Sequence, residues 1–256
     1  MLPRVLCHLA ASLDGRTDWI DPDLGLYYAV PGEWGADCML TGADTILAAP
    51  GYVPDEQPEV GALASLADFE TQAPPPAAQA GAGTAPRDGS APAAATARGG
   101  PRLVIVDSGG RVRNWRYLQA QPFWREPTAL CSCRTPPEYL ACLAERRVPT
   151  IVTGDERVDL RAALERLADE HGVRRVHVDS GGSLHSLLLR QGLVDEVSVM
   201  IEPVLVGGCS PRWWYRGPDL AGPEGAVRLA LTDVRRVGDG VVWLRYDVVA
   251  PASQRA

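Results

Sequence analysis

The stretch from Val176 to Gly208 constrains the fold most, because it joins a strand, a glycine turn, a helix and a second strand without a gap. Short apolar β-branched residues run into the pair Gly181 and Gly182, where only glycine lets a backbone or a ligand approach closely. Leucines then recur at helical spacing until Gly192, with Ser183 as the candidate cap. An apolar run from Val194 to Leu205 follows. This order is typical of a parallel sheet covered by helices.

Strands alternate with helices through most of the chain. Strands are predicted at 4–11, 37–41, 102–107, 127–132 and 149–153, and helices at 42–49, 136–147 and 160–171. The end of the chain, 227–237 and 241–249 around Gly238 and Gly240, is typical of an antiparallel hairpin. The pattern predicts an α/β fold with a mostly parallel central sheet, a C-terminal antiparallel hairpin and helices on both faces.

Two segments do not fit this alternation. Residues 18–35 are predicted to form a loop whose aromatic side chains either join the core or wall a flat ligand. Residues 72–101 contain 22 Ala, Pro or Gly among 30 residues and no large apolar side chain, which predicts a mobile insertion. A linker between two domains is the alternative. Because the part before it offers too few strands to close a core, we expect a single domain over residues 1–256.

The charge and the cysteine content limit the kinds of ligand and the cellular compartment that we expect for this protein. The 25 basic residues, all arginine, against 32 acidic residues give a net charge of −7, so no basic run favours nucleic acid or an anionic membrane. The apolar run near the start is too short to span a bilayer, and we expect no signal peptide and a cytoplasmic location. The six cysteines form no CxxC pair, which predicts buried free thiols and no metal site; a site at Cys131 and Cys133 is the lesser alternative.

Small polar or glycine-rich groups end four of the predicted strands: 12–15, 41–45, 108–111 and 180–183. Turns at the carboxyl ends of parallel strands expose backbone N–H groups and helix N-termini, which suit a phosphate-bearing cofactor. The chain has neither GxGxxG nor a Walker sequence, so the Rossmann and P-loop interpretations fail. It also lacks H-x-E followed by P-C-x-x-C, which excludes a zinc deaminase.

Four motifs in order resemble one family: A-x-SLDGR, AD-x-x-LTGADT, PRLVIVDS-x-x-R and SGGSLHSLLLRQGLVDEVSVMIEPVLVGG. They are similar to the reductase domain of the riboflavin-biosynthesis deaminase-reductases, which has the dihydrofolate-reductase-like three-layer fold. The resemblance covers nearly all of the chain outside the insertion. It implies a homodimeric, NADPH-dependent reductase acting on a pyrimidine- or pterin-type heterocycle or its ribosylamino imine. Dihydrofolate reduction and non-catalytic NADPH binding are the alternatives.

The resemblance also implies roles for individual residues. The cofactor would be contacted by Gly42, Thr45, Ser108, Arg111, Gly181, Gly182, Ser183 and Leu184. Ser108 and Arg111 would lie near the adenosine 2′-phosphate, because a hydroxyl and a guanidinium suit that group; Arg111 as a solvated turn residue is the alternative. The substrate would be contacted by Ser12, Ser180 and Trp34.

Three positions depart from the family's substrate-binding pattern. An arginine before the second strand is replaced by Glu33 or Trp34, and an Asp-Pro-x-Leu-Thr-x-Arg segment is replaced by residues 48–51 and the insertion. A carboxylate directly before the glycine pair is replaced by Ser180. Asp179 is one step earlier on a strand, so it is expected to point to the opposite face. These differences leave open whether the substrate is phosphorylated.

Asp14 and His8 are the candidate catalytic residues. Reduction of an imine needs a proton at nitrogen as well as a hydride, and Asp14 is the nearest carboxylate to the predicted site. His8 lies six residues earlier, on the same face of the first strand. The alternatives are a turn-forming aspartate and a hydrogen-bonded core histidine.

Overall fold

The fold is known from a computed structural model that describes residues 1–49, 51–55 and 99–249. Most of the predicted insertion, residues 72–98, lies outside these ranges. Its last three residues, 99–101, are described: Gly99 is exposed, whereas Gly100 is buried, and a Cβ on Gly100 would lie 1.7 Å from the carbonyl oxygen of Phe123. A side chain at position 100 would meet this backbone, so the close approach favours glycine there.

Nine strands form one sheet in the order β5-β4-β3-β2-β6-β1-β7-β9-β8. The strands are β1 Arg4–Ser12, β2 Cys38–Gly42, β3 Arg102–Val106, β4 Arg125–Cys131, β5 Thr150–Val152, β6 Arg175–Val178, β7 Glu196–Glu202, β8 Arg228–Val237 and β9 Val241–Val249. Strands β1 to β7 pair in parallel, whereas β7 with β9 and β9 with β8 are antiparallel. The predicted mostly parallel sheet with a C-terminal hairpin is confirmed.

Helices cover both faces of this sheet, which gives the three layers. The helices are α1 Leu24–Trp34, α2 Ala43–Leu47, α3 Trp115–Ala120, α4 Pro137–Glu145, α5 Leu160–His171 and α6 Gly182–Arg190. Residues of α1 to α4 join the core on one face, and residues of α5 and α6 join the core on the other. Within the described ranges, none of these helices has the length and apolarity that a membrane crossing requires.

Helix α1 replaces the loop expected at residues 18–35. Asp23 begins it, accepting hydrogen bonds from Leu26 N through its carboxylate at 3.1 Å and from Tyr27 N through its carbonyl at 2.8 Å. Tyr27, Tyr28 and Val30 are buried against the sheet. The predicted loop was wrong. The Asp-Pro and Pro-Gly pairs are local turn signals, but burial of the apolar face of this segment against the sheet stabilises a helix in spite of them.

Two smaller expectations also fail. No helix was expected around Trp115, which begins α3 and is fully buried in a short segment with little periodicity. The cysteines are all free, yet only Cys7, Cys38 and Cys131 are buried, while Cys133 and Cys209 are exposed. Cys133 lies two residues after the end of β4, in a turn.

Candidate active site

The four predicted turns lie side by side at one edge of the sheet. They follow the carboxyl ends of β3, β2, β6 and β1, which are consecutive neighbours in the strand order. Since parallel strands all end at the same edge, residues far apart in sequence meet there. With strands spaced at about 4.8 Å, the edge from β3 to β1 is about 14 Å long.

The turns after β2 and β6 are joined through Ser180. Its Oγ accepts a hydrogen bond from Gly42 N at 3.2 Å and lies 3.2 Å from Thr45 Oγ1. A Cβ on Gly42 would lie 3.2 Å from the same oxygen. The structure thus brings together two predicted cofactor residues and one predicted substrate residue, with Ser180 as the polar link between them.

The turn after β3 reaches the same group through an ion pair. Arg111 Nη2 lies 2.7 Å from Asp44 Oδ1 in the first turn of α2, and both side chains are more than half exposed. The turn itself is held by Asp107, whose Oδ2 accepts from Arg111 N, Val112 N and the hydroxyl of Tyr139. Ser108 Oγ accepts from Val158 N at 3.0 Å. Arg111 is therefore an exposed cation beside α2.

The two glycines before α6 have different surroundings. Gly181 is the residue before the helix, no side chain caps this end, and no atom lies within 4 Å of a Cβ built on it. Gly182 is buried, and a Cβ on it would lie 2.0 Å from the carbonyl oxygen of Trp213. Ser183 is exposed and Leu184 packs into the core. Open, uncapped backbone at Gly181 fits a phosphate group, whereas Gly182 serves the chain's own packing.

Asp14 is tied to the loop after β7. Its Oδ1 accepts from Ser12 Oγ at 2.7 Å and from Val206 N at 3.0 Å, and its Oδ2 accepts from Gly207 N at 2.7 Å. These bonds, that of Ser12 first, lower the pKa of Asp14 to about 2. At neutral pH the group is an ionised acceptor without a proton to give, so its contacts favour a holding role.

Arg16, which the sequence interpretation missed, is the centre of this connection. Its side chain is 1% exposed and pairs with Asp18 at 2.8 Å. The guanidinium also donates to the carbonyls of Gly207, Gly208 and Arg212. The SLDGR and VLVGG motifs therefore bind each other. An arginine directly after a glycine turn was the available signal, but nothing local indicates its burial.

His8 is a buried, hydrogen-bonded core residue. Its Nε2 lies 3.0 Å from the carbonyl of Tyr27 and its Nδ1 lies 2.9 Å from Ser198 Oγ, which accepts from Trp243 Nε1. Burial, the largest cause, lowers the pKa of His8 to about 3. The ring is therefore neutral at physiological pH, with Nε2 as the donor to Tyr27. Its position favours the core role over proton transfer.

Asp179 is a second residue whose environment the sequence did not reveal. Its two carboxylate oxygens accept from the hydroxyls of Tyr27 at 3.0 Å and Tyr28 at 3.1 Å. Burial raises the pKa of Asp179, and the two tyrosine hydrogen bonds partly oppose that rise. It contacts α1, while the neighbouring Ser180 contacts Gly42 and α2.

Trp34 lies apart from the other predicted site residues. It lines a 340 Å³ cleft with Arg4, Arg175, Glu196, Trp243 and others, where strands β1, β6 and β7 begin. Its Nε1 donates to Glu196 Oε1 at 3.0 Å. This is the opposite edge from Gly181, because Trp34 ends α1 after that helix has crossed the sheet. In the described ranges, no three His, Cys, Asp or Glu side chains are placed to share a metal ion.

Comparison with known proteins agrees with this architecture. The sequence profile of the RibD C-terminal domain matches residues 3–243. A 2,5-diamino-6-ribosylamino-4(3H)-pyrimidinone 5′-phosphate reductase of Methanothermobacter thermautotrophicus is 35% identical over 144 residues, covering 56% of this chain and 64% of the relative. A reductase of the same name from Archaeoglobus fulgidus is 28% identical over 94% of this chain and 96% of its own length.

Solved structures share the fold. RibD of Acinetobacter baumannii superposes with a TM-score of 0.62 at 23% identity, covering 97% of this chain and 58% of that longer chain. The riboflavin biosynthesis reductase Rib7 of Saccharomyces cerevisiae superposes with a TM-score of 0.59 at 18% identity, covering 97% of this chain and 90% of the yeast chain. The profile match over nearly the whole chain assigns this protein to the RibD C-terminal domain family.

Proposed function

We propose that this protein is an NADPH-dependent reductase that acts on a ribosylaminopyrimidinone of the kind named for its archaeal relatives. The observation that carries the proposal is the meeting of the turns after β3, β2 and β6 at one edge, with the open backbone of Gly181 at the start of α6. Family membership and the reductase names of two relatives support the chemistry.

The cofactor would extend along this edge. Its diphosphate would lie on the uncapped start of α6 at Gly181, and its adenosine end would lie toward the exposed guanidinium of Arg111. Gly42 and Thr45 lie between these positions, linked to Ser180. When bound, NADPH supplies the hydride, so this chain's residues mainly bind and orient.

The proton needed at nitrogen would come from water in this proposal. Asp14 is an anion engaged with Ser12 and the Val206–Gly207 backbone, and His8 is neutral with both ring nitrogens engaged inside the core. Asp14 therefore acts by holding the turn after β1 against the loop after β7. Proton transfer from bulk or bound water requires no further acidic side chain.

Cofactor binding and turnover test the proposal separately. Purified protein is titrated with NADPH and NADH by calorimetry, and NADPH oxidation is then followed by absorbance with the diaminopyrimidinone ribosylamino 5′-phosphate, its uracil analogue and dihydrofolate. Oxidation with either pyrimidine supports the proposal. Oxidation only with dihydrofolate would move the protein to the alternative substrate, and binding without oxidation would indicate a non-catalytic cofactor-binding protein. No binding would overturn the proposal.

We also propose a homodimer formed through the hairpin. Strand β8 is an outer edge of the sheet, and β8 and β9 expose Leu229, Leu231, Val234, Val242 and Val249. Leu231 and Val234 are 57% and 55% exposed. Within the described residues no strand pairs with the outer side of β8, and exposed apolar side chains on such an edge favour a partner of the same shape. Light scattering on the wild type and Leu231→Lys tests this, with a monomeric wild type as the refuting result.

A cytoplasmic location remains our proposal from the sequence. The three buried free thiols suit a reducing compartment, because none of the cysteines in the described ranges is paired. Fractionation of the native host with an antibody to the protein would test it.

A further inference from the structure

Trp213 has an exposed indole at the candidate site although its surroundings hold it firmly. Trp213 is 39% exposed, although one side of its ring faces Arg16. Its backbone carbonyl packs on Gly182, and Arg216 N donates to the carbonyl of Gly182 at 3.1 Å. Residues 213–216 therefore lie directly against the first turn of α6.

The ring itself is fixed from the β1 side. The guanidinium carbon of the buried Arg16 lies 5.2 Å from the ring centroid, within the range of a cation–π contact. A Cβ on Gly15 would lie 3.4 Å from the ring, and Trp214 N donates to the carbonyl of Gly15 at 3.2 Å. With Arg16 paired to Asp18, the indole is a preorganised aromatic surface rather than a mobile side chain.

The position along the edge identifies which part of a dinucleotide would meet this surface. Arg111 lies at the end of β3, Gly181 at the end of β6, and Gly15 with Trp213 at the end of β1, the next strand beyond β6. A dinucleotide with its diphosphate at Gly181 and its adenosine toward Arg111 has its nicotinamide end on the β1 side. The indole lies on that side.

We propose that Trp213 binds the nicotinamide ring of the cofactor by stacking. The inference rests on the proposed function, and it assigns a ligand contact to a residue outside the motifs that identify the family. A stacked aromatic pair contributes enough to change affinity about two- to twelvefold. The contribution should be confined to ligands that carry the nicotinamide ring.

The test uses fragments of the cofactor with the full-length protein. Reduced nicotinamide mononucleotide, 2′,5′-ADP and NADPH are titrated by calorimetry against wild type, Trp213→Ala and Trp213→Phe. We expect Trp213→Ala to weaken the binding of the mononucleotide and NADPH about two- to twelvefold and to leave the binding of 2′,5′-ADP unchanged. Trp213→Phe keeps an aromatic ring, so it should lose less affinity for these two ligands than Trp213→Ala. Trp124→Phe is the matched control, because Trp124 lies just before β4 at the other edge and should leave all three affinities unchanged.

These titrations distinguish a failure of the stacking inference from a failure of the proposed function. If wild type binds neither NADPH nor 2′,5′-ADP, the proposed function itself fails. If wild type binds NADPH and Trp213→Ala binds the mononucleotide equally well, the stacking inference is wrong and the proposed function stands. An equal loss for all three ligands would show that Trp213 only supports the loop. Energy transfer from tryptophan to bound NADPH, reduced in Trp213→Phe but not in Trp124→Phe, is a second readout that needs no alanine variant.

Discussion

Gly182→Ala is the sharpest test of how the start of α6 is built. The added Cβ would lie 2.0 Å from the carbonyl oxygen of Trp213 and 2.9 Å from the carbonyl carbon of Trp214. An ordinary contact needs at least 3.4 Å, so the backbone at Trp213 must retreat by about 1.4 Å. This obstacle is backbone, which cannot rotate away as a flexible side chain can.

The magnitude follows from two opposing effects. Overpacking of this kind costs about 1–3 kcal/mol, and a backbone obstacle places the cost near the upper end. Alanine recovers up to about 1 kcal/mol of helix propensity relative to glycine. The net loss is about 2 kcal/mol of unfolding free energy, and in a chain of this size that lowers the melting temperature by about 4–8 °C.

Gly181→Ala is the matched control, because it is the same substitution one residue earlier. Gly181 has φ −75°, which alanine adopts without strain, and no atom lies within 4 Å of its Cβ position. The position before a helix favours glycine over alanine, and this preference alone should lower the free energy of unfolding by at most about 1 kcal/mol. Both variants are followed by calorimetric unfolding without ligand. Equal melting temperatures for the two variants, or no loss in Gly182→Ala, would refute the proposed contact between α6 and Trp213.

Three further predictions concern a buried histidine, an exposed ion pair and a buried hydrogen bond. Burial holds the pKa of His8 at about 3, whereas the unfolded chain has a value near 6.5. Between these pH values the unfolded state binds more protons than the folded state. The contribution of neutral His8 to the free energy of unfolding is therefore complete above about pH 6.5 and is lost as pH falls toward 3. Urea midpoints at a series of pH values check this, and an unchanged midpoint between pH 7 and 5 would contradict it. Arg111→Ala should weaken NADPH more than NADH and change the melting temperature little, because its pair with Asp44 is exposed; equal weakening of both cofactors would show that Arg111 does not meet the 2′-phosphate. Tyr28→Phe removes one of two hydroxyls bound to the buried Asp179 and should cost about 1–3 kcal/mol of stability, whereas no change in unfolding would show that the hydrogen bond contributes nothing.

Much of the fold follows from local patterns in the sequence. The parallel strands, α5, α6 and the terminal hairpin were predicted within a few residues, since each has its own periodicity and its own glycine or proline boundary. Helix α1 was missed for the converse reason. Its local signals indicate a turn, and it is stabilised by burial of Tyr27 and Tyr28, which only the assembled sheet provides.

The candidate site divides in the same way. Residue types and their place after strands predicted the turns at 41–45 and 180–183, because parallel strands bring their carboxyl ends to one edge whatever their separation in sequence. The roles of Gly42, Thr45, Ser180 and Gly181 within these turns came from the family resemblance and stay predictions. Sequence did not reveal that Trp34 lies at the opposite edge, since helix α1 was not recognised and the direction of the chain there was unknown.

The sequence alone determined the order of the strands and of helices α2, α4, α5 and α6, the family resemblance and the turns that could meet a cofactor, because these depend on local spacing. Only the tertiary structure decided what each polar side chain does. Asp14 and Arg16 bind backbone groups about 190 residues later in the chain, and the paired glycines Gly181 and Gly182 separate into one open and one covered position. Hydrogen bonds and burial between distant segments have no local signature, so the roles of these residues follow from the folded arrangement.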